Sequence, residues 1–264
     1  MAGTERVFPE KTGGILEFSG IEKRFKGNRV LRGVTGSIAR GKATALIGSN
    51  GAGKSTFLNV VSGLLPADQG AIRLNGRDIT SLAGYSRARA GIGRTFQHPR
   101  AFGSLTVFEA VQMAQTSPSQ EGILRNLARA VGIDRRKPEL DRASIMAWLE
   151  LCRLDHLANT TADRLSYGDR KLLMFAQTLA FDRELICLDE LCAGLEASVI
   201  DYLVTVFSRL IRSGKTILFV EHNLELVRML ADEIIFLHEG AVYRSGPASS
   251  ILVDADVVSL YLGD

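Results

Sequence analysis

One run of eight residues constrains this chain more than any other: GSNGAGKS, Gly48 to Ser55. It fits G-x-x-x-x-G-K-[ST] and lies between an apolar run, ATALIG at 43–48, and STFLNVVSGLL at 55–65, whose apolar residues have helical spacing. Such a loop needs a fold in which a buried strand turns directly into a helix. Its glycines let backbone N–H groups face a phosphate, and the helix N-terminus adds a field that favours an anion. On this reading Gly48, Ser49, Asn50, Gly51, Ala52, Gly53, Lys54, Ser55 and Thr56 hold a nucleotide. Lys54 reaches its β- and γ-phosphates and Ser55 holds Mg²⁺. The same residues could form a strand–helix turn with no ligand, but the flanking strand and helix favour nucleotide binding.

The rest of the chain extends this start. ILEFSG at 15–20 and VLRGVTGSIA at 30–39 predict strands, and AIRLNGRDI at 71–79 predicts a hairpin around Asn75-Gly76. ELICLDE (184–190), KTILFVE (215–221) and EIIFLHEG (233–240) predict further strands, separated by helices at 197–212 and 223–231. Between the two halves, about 98–165, the pattern changes. Segments 106–114, 121–131 and 139–153 are apolar at helical intervals, joined by polar loops with Pro118, Gly132 and Pro138. The expected fold class is therefore α/β. It has a phosphate-loop NTPase core with a mainly parallel sheet, an N-terminal antiparallel β part and an inserted helical subdomain. Residues 1–14 are polar and predict a flexible N-terminal tail without a secretory signal, followed by a single domain over 15–264.

Composition excludes several classes. Hydrophobic residues make up 46% of 264, enough to bury a sizeable core. Lys and Arg number 32 against 29 Asp and Glu, and a net charge of +3 is too mild for a protein held to nucleic acid mainly by charge. The longest apolar candidate, LLMFAQTLAF at 172–181, carries Gln177 and Thr178 and falls short of the roughly 20 residues a membrane span needs. Cys152, Cys187 and Cys192 are an odd count without metal-ligand spacing, which predicts reduced thiols.

Two further motifs carry chemistry. LICLDE, Leu185 to Glu190, is an apolar strand ending in two carboxylates. Asp189 at that buried edge suits Mg²⁺, bound directly or through water, and Glu190 is placed to orient or deprotonate an attacking water. RLSYGDRK, Arg164 to Lys171, puts Ser166 and Gly168 at the mouth of a helix, an anion site that taken alone is an ordinary helix start.

Together these residues resemble the ATP-binding cassette ATPases over nearly all of 15–264. GSNGAGKS is similar to that family's phosphate loop, LICLDE to its second nucleotide motif, and LSYGD to the signature that separates it from other phosphate-loop proteins. Gln97 in GRTFQHPRAF looks like the glutamine joining core and helical subdomain, which serves both Mg²⁺ and catalysis. AGLE at 193–196 matches the loop after the acidic pair, and His222 in FVEHN falls where the family has its switch histidine. Phe25 in KRF falls where an aromatic ring stacks on adenine, though an aromatic in such a loop is also a common core residue. GIGRTFQHPRAFGSLTVFEAV, LSYGDRK, FVEHNLELV and the closing YLGD resemble the ATP-binding subunits of branched-chain amino acid importers, including relatives that take up urea or amides.

The resemblance implies ATP and Mg²⁺ as cofactors and a working dimer, homomeric or with a second ATPase subunit. In it, Ser166 and Gly168 of one subunit close over ATP held by the other. It also implies integral membrane permease partners, an extracytoplasmic solute-binding protein acting indirectly, a place on the inner face of the cell membrane, and no nucleic acid. Four departures stand out: Asp169 where the signature has Gln, Leu191 where Pro follows the acidic pair, Glu196 for Asp or Asn, and Asn223 for Asp. The rival readings are a non-transport cassette ATPase acting on nucleic acid or the ribosome, and a soluble phosphate-loop kinase. The first lacks its usual second cassette or basic insertion here; LSYGD and His222 argue against the second.

Overall fold

The computed structural model describes residues 14–95, 103–115 and 138–262. The chain divides into two compact units, Met1–Arg94 together with Arg183–Asp264, and Thr95–Asp182.

The first unit carries two sheets. β1 (Gly14–Phe25) and β2 (Asn28–Ala39) form an antiparallel hairpin, and β4 (Gln69–Leu74) pairs antiparallel with β1. β5 (Arg77–Asp78) closes the sheet in the order β2-β1-β4-β5. Its predicted hairpin turns on Asn75 (φ 52°) and Gly76 (φ 76°), the two left-handed residues that a tight two-residue turn requires.

The second sheet has the order β10-β9-β3-β8-β7-β6. It contains β3 (Ala43–Gly48), β6 (Ile92–Arg94), β7 (Leu185–Asp189), β8 (Thr216–Val220), β9 (Glu233–His238) and β10 (Ala241–Pro247). All neighbours are parallel except the β9–β10 hairpin. The central β3, β7 and β8 are buried at every residue, as the continuous apolar runs of a parallel sheet covered on both faces require. Ile15, Phe18, Leu31, Phe57, Ile72, Cys187, Leu218 and Leu237 belong to one core that draws on both sheets and on α1 (Lys54–Val61). Phe18 meets Phe57 edge-on at 4.8 Å.

The remaining helices of this unit are α2 (Gly84–Ala90), α6 (Ala197–Arg212), α7 (Leu224–Leu230), α8 (Ala248–Ile251) and α9 (Ala255–Leu262). The helix expected over 55–65 stops at Val61, because Ser62 turns its hydroxyl onto Leu58 O and Gly63 takes φ 75°. α2 and β6 escape the periodicity argument: GYSRARA has no apolar stripe, and β6 is three residues long.

The second unit is helical where it is described, with α3 (Val107–Gln115), α4 (Pro138–Leu151) and α5 (Tyr167–Ala180). Val107, Val111, Ile145, Leu149, Leu172, Phe175 and Leu179 are buried. Thr106 and Glu109 cap the start of α3, and Gln177 Nε2 donates to Ala110 O at 3.1 Å, tying α5 to α3. The predicted helix at 121–131 and the residue Gln97 lie outside the described residues. Among those described, no helix is long and apolar enough to cross a membrane.

Candidate active site

The first unit gathers most of the expected residues at the C-terminal ends of its parallel strands, where ligands of open α/β sheets bind. Gly48 closes β3 at φ 152°, and a Cβ there would stand 2.1 Å from Leu237 O, inside the backbone of β9. Gly53 caps α1 at φ 99°, and a Cβ there would meet Leu31 Cδ2 at 2.8 Å. The absence of side chains thus lets the loop press against β9 of its own sheet and β2 of the other.

Lys54 is 6% exposed, and its Nζ donates to Gly48 O at 2.7 Å and Ser49 O at 2.9 Å, folding the ammonium back over the loop. Burial pushes Lys54 below the ordinary lysine range, while the carboxylates of Glu190 and Asp189 pull it back up. No acidic residue occupies the first turn of α1, so its N-terminal field is not cancelled there. Ala52 is buried, Ser49, Ser55 and Thr56 are half-buried, and Asn50 and Gly51 are exposed.

The carboxylates arrive from β7. Asp189 pairs in register with Val220 of β8, and Val220 with Leu46 of β3, so Asp189 lies two residues below the level of Gly48. It is 4% exposed and accepts a hydrogen bond from Arg94 Nη2 at 3.3 Å; Arg94 Nη1 also donates to Ser62 Oγ at 2.6 Å. Burial pushes the Asp189 carboxyl above the usual range, Arg94 opposes that shift, and Glu190 adds to it. Next in the chain, Glu190 takes the left-handed φ of 50°, uncommon for a side chain of this type. This turn separates the two acids: Asp189 stays buried while Glu190 is half-buried. Glu190 Oε1 lies 2.8 Å from His222 Nε2, two residues past the end of β8. A carboxylate, an imidazole and an ammonium therefore share one edge, a combination able to hold phosphate charge and take up a proton.

The other expected residues stand as follows. Phe25 ends β1 and is 41% exposed, and Lys23 Nζ is 5.7 Å from its ring centroid. In the second unit Ser166 is the N-cap of α5, with Gly168 in its first turn. Asp169 is engaged in a reciprocal cap: Ser166 Oγ donates to its Oδ2 at 2.6 Å, and Asp169 N donates to Ser166 Oγ at 3.1 Å.

Asn223 caps α7 by accepting from Glu225 N at 2.8 Å and Leu226 N at 3.4 Å, a task Asn and Asp do equally well. Leu191 is buried, and Glu196 precedes α6 without a side-chain cap. All three thiols are free and buried; burial pushes Cys187 up to about 12, which leaves it unreactive. Sequence reasoning includes Arg94 within GRTFQHPRAF but gives it no partner, and the structure supplies one in Asp189. That partner lies 95 residues on, which no local pattern announces.

Comparison with known proteins agrees with this geometry. The model of the ABC transporter family matches residues 31–193. The chain belongs to the ABC transporter family. It is 34% identical over 252 residues to the high-affinity branched-chain amino acid transport ATP-binding protein BraF of Pseudomonas aeruginosa, covering 95% of this chain and 98% of that one. It is also 34% identical over 250 residues to a probable branched-chain amino acid transport ATP-binding protein, LivG, of Archaeoglobus fulgidus, covering 94% and 95%. Among solved structures, MJ1267, an ATP-binding cassette of an ABC transporter, matches with a TM-score of 0.81 at 29% identity over 96% of this chain and all of that one. The same cassette in its ADP conformation gives 0.80. The chain is an ABC ATPase.

Proposed function

We propose that this chain is the ATP-binding and ATP-hydrolysing subunit of an importer, powering uptake of branched-chain, hydrophobic amino acids or related small solutes. The observation that carries the reading is the meeting of Lys54, Asp189, Glu190 and His222 at one edge of the parallel sheet. The solute class rests on relatives that span the same length and are named for that transport.

The residues present fit a nucleotide triphosphate with Mg²⁺. The glycine cradle admits backbone close to an anion, Lys54 supplies a cation, and Asp189 is a carboxylate held at the strand edge. Ser55, Asp189 and Gln97 would hold Mg²⁺, which when bound neutralises charge on the phosphates. Lys54 then binds the β- and γ-phosphates as a point charge, and the first amides of α1 add donors. Glu190 orients water and accepts its proton, and His222 holds Glu190 in place through the 2.8 Å contact. Phe25 offers a face for the adenine.

The remaining parts of the reading concern assembly. Ser166 and Gly168 act in trans, so the working unit is a dimer, closed by ATP and opened by hydrolysis. Gln97 and 98–108 carry that motion to a permease at the inner face of the membrane, and an extracytoplasmic binding protein delivers solute. The chain's own share rests on one ATPase domain over 15–264 with its helical insertion.

The test is co-purification from detergent-solubilised membranes followed by reconstitution. The expected result is a multi-spanning permease in the eluate and ATP-driven accumulation of leucine, isoleucine or valine in vesicles. Recovery with ribosomes or nucleic acid, and no ATP-driven uptake, would contradict it.

A further inference from the structure

The closing YLGD run places Tyr261 in α9, far from the nucleotide motifs, yet its hydroxyl donates to the backbone carbonyl of His222. We propose that Tyr261 is a positioning residue for the Glu190–His222 pair, so that α9 sets the rate of ATP hydrolysis. The inference rests on the reading of His222 given above and extends it to an element that no nucleotide motif includes.

His222 lies in a three-residue link between β8 and α7, and each residue of that link is held differently. Glu221 is 5% exposed, and its Oε1 accepts from Cys192 N at 2.9 Å, fastening the start of the link to the loop after Glu190. Asn223 caps α7 and fixes the far end. Between them the His222 ring is 43% exposed, too open for packing to fix its orientation. The carbonyl of His222 is the point at which the middle of the link is held, and the holding group comes from α9.

That helix is well placed to act as an anchor. Asp254 Oδ1 accepts from Asp256 N at 3.0 Å and Val257 N at 3.1 Å at its start, Val257 is 3% exposed, and Arg244 lies 3.6 Å from Asp254. Burial, with the Glu221 carboxylate adding to it, pushes the Tyr261 phenol above its ordinary range. The hydroxyl therefore keeps its proton and remains a donor at neutral pH. A shift of α9 moves or releases the His222 carbonyl, and with it the ring that meets Glu190 Oε1 at 2.8 Å. Hydrolysis depends on that meeting; ATP binding, which rests on the phosphate loop, does not.

The test is Tyr261→Phe in the full chain, which keeps the ring and removes only the donor. The expected kcat is about three- to tenfold lower, equivalent to about 0.7–1.4 kcal/mol and to the loss of one hydrogen bond. KM for ATP and affinity for a non-hydrolysable ATP analogue stay as in the parent, and the melting temperature falls by no more than about 6 °C. With histidines isotopically labelled, the ring signal of His222 shifts and those of the other three histidines do not. In a His222→Ala background the second change adds no further loss, because the residue acts through His222.

Three results would overturn the proposal: an unchanged kcat, a full additional loss in the His222→Ala background, or a fall in kcat matched by a fall in analogue affinity. The parent reading is tested separately by His222→Ala alone. If that variant hydrolyses ATP normally, the role of His222 fails, whatever Tyr261→Phe shows.

Discussion

Replacing Arg87 with Met should destabilise the first unit severely without touching the phosphate loop. Arg87 is 1% exposed, and its guanidinium donates Nε to Leu82 O at 2.9 Å, Nη1 to Val60 O at 2.6 Å and Val61 O at 2.9 Å, and Nη2 to Thr80 O at 2.8 Å. Val60 and Val61 close α1, where the intrahelical ladder runs out, Val60 O accepts Gly63 N at a long 3.2 Å, and the helix field favours a cation. Each hydrogen bond from a charged donor is worth about 1.5–3 kcal/mol, so four set an upper bound near 6–12 kcal/mol. Several kcal/mol of that is offset because a buried guanidinium no longer needs desolvating, a cost visible in its pKa being pushed below the usual range.

The net expectation for Arg87→Met is about 3–5 kcal/mol, or roughly 6–20 °C at 2–4 °C per kcal/mol for a chain of this size. Arg87→Lys keeps the charge but offers donors from one atom, which cannot serve carbonyls on three sides, and should recover about half of the loss. Differential scanning fluorimetry and urea titration at pH 7 measure both. A Met variant melting within about 2 °C of the parent would refute the argument that this cation holds the end of α1.

Three further outcomes are expected. Lys54→Ala loses the ammonium beside the phosphates and should weaken binding of a labelled ATP analogue at least about tenfold; equilibrium titration checks it. Gly48→Ala drives a methyl to 2.1 Å from Leu237 O at φ 152°, so it should displace the loop and abolish analogue binding even where circular dichroism shows a folded chain. Asp169→Gln removes a like charge from the helix mouth read as facing the partner's γ-phosphate and frees the Ser166 hydroxyl. It should lower the ATP concentration for half-maximal hydrolysis while costing α5 about 0.3–1 kcal/mol of favourable charge at its start, and an unchanged or higher ATP requirement would contradict this.

The parts of this molecule that were legible in its sequence are those whose signal is local. A glycine run between an apolar strand and a helix, or a strand ending in two acids, states its geometry within about ten residues. ATALIG became β3 at its predicted bounds, and the helix over 197–212 became α6 at its own. The parts that stayed hidden depend on partners distant in the chain. Arg94 stands in the sequence as part of a family-like string, and its contact with Asp189, 95 residues on, emerges only when β6 pairs with β7. Arg87 sits in a polar heptapeptide with no apolar stripe, and only the carbonyls around it reveal a buried cation. Tyr261 lies in a short closing helix and finds its acceptor 39 residues upstream. The left-handed turn at Glu190 is likewise silent, because nothing in LDEL announces a positive φ; the pairing of Glu190 N with Val220 O at 3.0 Å accompanies it.

The strand-edge constellation is proposed to hydrolyse ATP with Glu190 as the group that activates water. Glu190→Gln keeps the shape and the cradle and removes the base. Parallel measurement of ATP binding and phosphate release in parent and variant, with Mg²⁺ present, tests that claim most directly. Binding should stay within about threefold of the parent, turnover should fall by about 10²–10⁴, and a larger, closed species should accumulate with ATP on size exclusion. Turnover at the parent rate in the Gln variant would contradict it.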